Sequence, residues 1–130
     1  MFDRLLIVDD SPVMRSFLRR AITSAGIEVA QYCEAGNGAE ALDLLEKQPV
    51  DLVLTDINMP VLDGAGLVDR LRRNPKLQSI PVVVVSTDST APRMAELMQL
   101  GARGYLRKPF APEQLIALLD ELFPSATGAN

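Results

Sequence analysis

Apolar positions along this chain follow two spacings. Leu5-Leu6-Ile7-Val8, Leu52-Val53-Leu54 and Val82-Val83-Val84-Val85 are unbroken apolar runs. Strands covered on both faces of a parallel sheet look this way, whereas half-exposed strands alternate. Two stretches of mixed polarity, Glu28 to Cys33 and Gly104 to Arg107, suit strands at sheet edges. Between the runs the spacing changes to three and four. Val13, Met14, Phe17, Leu18, Ala21, Ile22 and Ala25 predict a first helix, with Pro12 at its first position and Gly26 as its stop. Ala41, Leu42 and Leu45 mark a second helix, and Leu67, Val68 and Leu71 a third. A fourth spans Ala91 to Leu100, and a fifth, entered through Pro112, carries Leu115, Ile116, Leu118, Leu119 and Leu122. Five strands alternating with five helices predict an α/β domain with a parallel sheet and right-handed crossovers.

Composition narrows the function more than the fold. One domain accounts for 130 residues, and 48% apolar content supplies a core without staples. The tail 124–130 is expected to be disordered or to begin a linker. A single cysteine, Cys33, can form neither an intrachain disulfide nor a multi-thiolate zinc site. No apolar run approaches the roughly 18 residues of a membrane span, and Met1-Phe2-Asp3-Arg4 lacks the layout of a signal peptide, so a cytoplasmic location is expected. The formal charge of −4 argues against direct nucleic-acid binding. Arg15, Arg19 and Arg20 read as a solvated helix face. With no histidine in the chain, serine–histidine and cysteine–histidine catalysis are excluded. Chemistry here must run on carboxylates, hydroxyls, lysine and backbone groups.

Ligands of such sheets bind beyond the carboxyl ends of the strands, near the point where strand order reverses. The first run ends in Asp9-Asp10, the third in Thr55-Asp56, the fourth in Ser86-Thr87-Asp88 and the fifth in Lys108-Pro109. Carboxylates gathered at one edge repel unless protonated or matched by a cation. A hard, oxygen-seeking ion such as Mg²⁺, with Mn²⁺ as a substitute, is the natural partner. The competing structural explanation is that each acid caps a following helix.

Taken together, Ile7-Val8-Asp9-Asp10-Ser11, Leu54-Thr55-Asp56-Ile57-Asn58-Met59-Pro60, Asp63-Gly64, Val85-Ser86 and Tyr105-Leu106-Arg107-Lys108-Pro109-Phe110 resemble the receiver domains of two-component response regulators. The resemblance covers residues 4–123. Its specificity lies in the order and spacing: 46 residues from Asp10 to Asp56, 30 to Ser86 and 22 more to Lys108. It implies a doubly wound, flavodoxin-like five-stranded sheet of order 2-1-3-4-5 with helices on both faces.

By position the resemblance implies that Asp56 accepts a phosphoryl group. Asp10 and Asp56 bind Mg²⁺ directly, Asp9 acts mainly through water, and Asn58 contributes its backbone carbonyl. Ser86 and Lys108 contact the phosphoryl oxygens, Lys108 preceding a proline often reached through a cis bond. Ser86 and Tyr105 act as the switch. The implied donor is a phosphohistidine on a sensor histidine kinase or histidine phosphotransfer protein, docking beside Ser11, Pro12, Arg15 and Arg19. A downstream target is expected on the face formed by the fourth helix, fifth strand and fifth helix.

The chain is thus expected to be a phosphorelay switch rather than an enzyme, acting alone in the manner of chemotaxis receivers or as the N-terminal part of a longer regulator. Thr87 departs from the usual alanine or glycine, and Asp88 adds a charge near the mouth of the site; both, with Asn58, should tune dephosphorylation. An aspartyl phosphatase or phosphotransferase would carry a second acid where Asn58 stands. A flavodoxin-like carrier would not place Asp9-Asp10-Ser11-Pro12 against a flavin phosphate. A pseudo-receiver that only binds partners would not keep all the reactive positions.

Overall fold

A computed structural model describes residues 2–88 and 90–124. The elements run β1 (Phe2–Val8), α1 (Pro12–Ser24), β2 (Val29–Ala35), α2 (Gly38–Lys47), β3 (Leu52–Thr55), α3 (Gly64–Arg73), β4 (Val82–Ser86), α4 (Ala91–Leu100), β5 (Gly104–Arg107) and α5 (Pro112–Leu122). All sheet pairings are parallel and the strand order is β2-β1-β3-β4-β5. Order reverses between β2 and β3, on either side of β1, so the tips of β1 and β3 lie side by side at the switch point.

The unbroken apolar runs are the three inner strands, and the reason is visible in their burial. Leu5, Ile7, Leu52, Leu54, Val83 and Val85 point to one face, where they pack with Leu18 and Ile22 of α1 and Leu115 and Leu119 of α5. Leu6, Val8, Val53, Val82 and Val84 point to the other and meet Ala41 and Leu45 of α2, Leu67, Val68 and Leu71 of α3, and Leu97 of α4. Each fully buried Leu, Ile or Val contributes about 1.5–3 kcal/mol relative to exposure, so both faces are strongly held.

Boundaries differ from expectation at the sheet edge. The second strand runs Val29–Ala35 rather than Glu28 to Cys33, because Ala35 pairs with Val8 and its carbonyl accepts from the Asp9 N–H. Likewise β1 starts at Phe2, which pairs with Val29 and is buried, two residues before the expected domain start at residue 4. Of the expected tail, only Pro124 falls within the described residues; 125–130 lie outside them.

Three helix starts are capped by a side chain of the preceding residue. Ser11 Oγ accepts from Met14 N, Asn37 Oδ1 from Glu40 N and Asp63 Oδ1 from Gly66 N. These caps matter for the site: the start of α1 is closed by Ser11 and that of α3 by Asp63, which frees Asp9, Asp10 and Asp56 from capping.

Candidate functional site

Sheet register brings the acids together. Val8 pairs with Thr55, so the residues immediately after β1 and β3 emerge next to each other, and the Asp56 N–H donates to the Val8 carbonyl. Asp9, Asp10 and Asp56 each offer a carboxylate oxygen, and these oxygens lie within 4.8 Å of one another. Asp9 is buried, Asp56 half-buried and Asp10 exposed, so the cluster grades from the sheet edge into solvent.

Lys108 reaches this cluster from the other side. Its backbone N–H donates to the Ser86 carbonyl as β5 leaves the sheet, which aims the side chain back across the strand tips. Its Nζ lies 3.0 Å from Asp9 Oδ2 and 3.5 Å from Asp56 Oδ2, with only 9% of the side chain exposed. One ammonium thus pairs with two of the three carboxylates, and the cluster keeps negative charge to spare. The peptide bond to Pro109 is cis. The excess negative charge and the all-oxygen donor set fit a hard divalent cation such as Mg²⁺, which accepts a few carboxylates while keeping several waters.

Backbone contacts fix the nucleophile candidate. Asp56 Oδ1 accepts from the Ile57 N–H at 2.7 Å, and the Thr55 hydroxyl donates to the Asp56 carbonyl. Gly64 presses against the same turn: a Cβ there would stand 2.3 Å from the Asp56 carbonyl oxygen and 2.9 Å from Ile57 Cα. The sequence alone assigns Thr55 and Gly64 no role of their own. A hydroxyl inside an otherwise apolar strand was the available signal for Thr55; the approach that demands Gly64 exists only between segments brought together by folding.

The remaining expected residues lie around this centre. Ser86 is fully buried at the tip of β4, its Oγ accepting from the Asp88 N–H at 3.2 Å. Tyr105 is half-buried on β5 and its hydroxyl donates to the Asp88 backbone carbonyl. Burial first, and the Asp88 charge second, push its phenol above the ordinary value. The Asp88 carboxylate turns toward Arg93 at 4.0 Å, so its charge is partly answered on the protein itself. Asn58 is exposed in the loop leaving β3, where the next residues form a tight turn closed by Leu62 N–H to the Pro60 carbonyl, with Val61 at φ 68°.

On α1 the structure corrects one expectation. Ser11 and Pro12 stand at the helix start beside the acids, but Arg15 is no part of a solvated face. Its side chain is 19% exposed, its Nε donates to Glu34 Oε1 at 2.8 Å, and one terminal nitrogen donates to the Asp9 backbone carbonyl at 2.6 Å. Arg19 bonds the other Glu34 oxygen at 2.9 Å and lies over the Tyr32 ring. Only a partner carboxylate on neighbouring β2 could draw Arg15 inward, and that pairing is invisible along the helix. Beyond these ion pairs, a surface groove of about 610 Å³ lined by Ser16, Arg19, Arg20 and Tyr32 excludes every acid of the cluster. Among the described residues, no helix is long and apolar enough to cross a membrane.

Comparison with known proteins agrees with this geometry. A chemotaxis protein CheY homolog from Campylobacter jejuni is 33% identical over 126 residues, covering 96% of this chain and 95% of that protein. The structure of chemotaxis protein CheY4 from Vibrio cholerae superposes with a TM-score of 0.80 at 32% identity, covering 95% of this chain and all of the other. The receiver domain of sensor histidine kinase PA1611 from Pseudomonas aeruginosa, which has a magnesium ion coordinated in its active-site cleft, superposes with a TM-score of 0.80 at 26% identity and covers 96% of this chain. The profile of the response regulator receiver domain matches residues 5–120. With the sheet order, the acid cluster and the family profile all in agreement, the chain belongs to the response regulator receiver domains of two-component signalling.

Proposed function

We propose that this receiver takes a phosphoryl group onto Asp56 from a phosphohistidine on a sensor histidine kinase or histidine phosphotransfer protein, in a Mg²⁺-dependent reaction, and responds by changing its docking surface. The observation that carries the reading is the placement of Lys108 Nζ between the Asp9 and Asp56 carboxylates, nearly sealed from solvent. A lysine placed only for stability would need one carboxylate; this one faces a cluster with negative charge to spare.

In the proposed transfer an Asp56 carboxylate oxygen attacks phosphorus, a P–O bond forms, the P–N bond to the imidazole breaks, and the leaving nitrogen keeps the electron pair. Asp56 Oδ1 is already held by the Ile57 N–H, which leaves Oδ2, the oxygen facing Lys108, as the attacking atom. The transition state spreads charge over the phosphoryl oxygens, so positioning and charge neutralisation supply most of the rate. Lys108 provides one positive group on the inner side, and the Ser86 hydroxyl a donor once it turns from Asp88 N. Bound Mg²⁺, held by Asp10 and Asp56 with Asp9 through water and the Asn58 carbonyl, would neutralise the carboxylates and the incoming oxygens. Mn²⁺ suits the same oxygens. No general base is needed, because a carboxylate is a nucleophile as it stands. The protein is then a switch that reacts once per signal rather than a turnover enzyme.

For output, the bond from Tyr105 to the Asp88 carbonyl ties β5 to the loop before α4, and Ser86 holds the same loop from inside. A Ser86 drawn toward a phosphoryl group would release Asp88 N and shift that loop. This supports a target-binding face made of α4, β5 and α5. Exposed Val13 and Phe17, the latter edge-on to Phe110, lie on the first turns of α1 and support docking of the phosphoryl donor beside Ser11, Pro12 and Arg19.

The test is direct. Incubation with acetyl phosphate and Mg²⁺ should add one phosphoryl mass, and Asp56→Asn should abolish it. Labelling that persists in Asp56→Asn removes Asp56 from its assigned role.

A further inference from the structure

We propose that Arg15 is a positioning residue for the cation site, acting through the Asp9–Asp10 peptide and itself held by Glu34. This rests on the reading of the acid cluster as a Mg²⁺ site and assigns a residue outside it. Asp10 is the most exposed of the three acids. Its neighbour Asp9 is held three ways: its carboxylate accepts from the Ser11 N–H and from Lys108, and its own N–H donates to Ala35. The direction of the Asp10 side chain therefore depends on the plane of the peptide that joins the two residues.

Arg15 sets that plane. Its guanidinium donates to the Asp9 carbonyl at 2.6 Å, so the peptide cannot rotate without breaking a charge-assisted bond. The guanidinium is fixed in turn by Glu34 Oε1 at 2.8 Å, and Glu34 is clamped at its other oxygen by Arg19. The chain of contacts crosses from α1 to edge strand β2 and back to the tip of β1, and it uses Arg15's two separate N–H directions. Lysine has no such fork.

Coulomb's law alone predicts the opposite effect for removal of Arg15. A positive group beside three carboxylates weakens cation binding, so Arg15→Ala without a positioning role would bind Mg²⁺ more tightly. The positioning role predicts weaker binding, on the order of tenfold, as is usual when a group orienting a metal ligand is lost.

The experiment is calorimetric titration of the full chain with MgCl₂ for wild type, Arg15→Ala and Arg15→Lys, with unfolding followed by circular dichroism in EDTA to confirm that each variant is folded. The expected result is a dissociation constant raised about tenfold in Arg15→Ala and several-fold in Arg15→Lys, which keeps the charge but not the fork. Unchanged or tighter binding by folded Arg15→Ala overturns the proposal and leaves the cation site standing. If Arg15→Ala does not fold, Arg15→Lys decides: wild-type affinity there overturns the proposal. A wild type that takes up no Mg²⁺ overturns the site itself, and this inference with it.

Discussion

Neutralising Asp10 should stabilise the metal-free protein and destabilise it relative to wild type once Mg²⁺ is added. The three carboxylates lie within 4.8 Å of one another, and among the described residues the one ammonium paired with them, Lys108, serves Asp9 and Asp56. At that separation a like-charge pair repels by about 0.9 kcal/mol in a water-like dielectric, the appropriate limit for the exposed Asp10. Asp10 has two such neighbours and no ion-pair partner of its own, and the more distant charges of Lys108 and Arg15 offset about half of that repulsion, so Asp10→Asn should gain roughly 1 kcal/mol. For a domain of this size that is a rise in Tm of roughly 4 °C. Mg²⁺ at a hundred times its dissociation constant stabilises the wild type by about 2.7 kcal/mol, and the variant, having lost a ligand, by much less. The stability order should therefore reverse between EDTA and saturating MgCl₂. Urea unfolding followed by circular dichroism at 222 nm gives both numbers. A variant no more stable than wild type in EDTA, or an order that does not change with Mg²⁺, would show that the acids do not share one field.

Three further outcomes test the surroundings of the site. Gly64→Ala should destabilise by about 1–3 kcal/mol or more, because its Cβ meets the Asp56 and Ile57 backbone rather than a movable side chain, and it should slow acetyl-phosphate labelling of Asp56; thermal melts and mass spectrometry would read the two effects. Val61→Asn should stabilise by about 1 kcal/mol, since a β-branched residue is held at φ 68° with its side chain in solvent, where asparagine adopts that conformation more readily; an unchanged urea midpoint would refute strain there. The Tyr105 phenol should titrate above 10, measured as the phenolate absorbance lost in Tyr105→Phe. Because the fold holds this proton more tightly than the unfolded chain, the associated stability is complete below about pH 10 and is lost as pH rises through the folded value. A titration midpoint at or below 10 would contradict the burial of the ring.

The fold was legible because its signal is one-dimensional. Residues Leu5 to Val8, Leu52 to Leu54 and Val82 to Val85 are apolar without alternation because helices cover both faces of the sheet, and that condition writes itself into consecutive positions. The helix limits at Pro12, Ala91, Leu100 and Pro112 were equally readable, since proline and the three-to-four spacing are local. Edge strand β2 runs two residues beyond the expected Cys33 because its pairing is dictated by β1, not by its own mixed sequence.

The sequence by itself determined the layers, the alternation of strand and helix, and the fact that acids and a lysine end particular strands. Folding decided which of them meet. Sheet register sets Val8 opposite Thr55 and so brings Asp9, Asp10 and Asp56 together, while Lys108 joins them across a separation of 99 residues from Asp9. Arg15 and Gly64 gained their surroundings in the same way, one from Glu34 on a neighbouring strand and the other from the turn it presses against. Periodicity is a property of neighbours along the chain, whereas charge pairing and close backbone approach are properties of neighbours in space, and only the packed sheet supplies those.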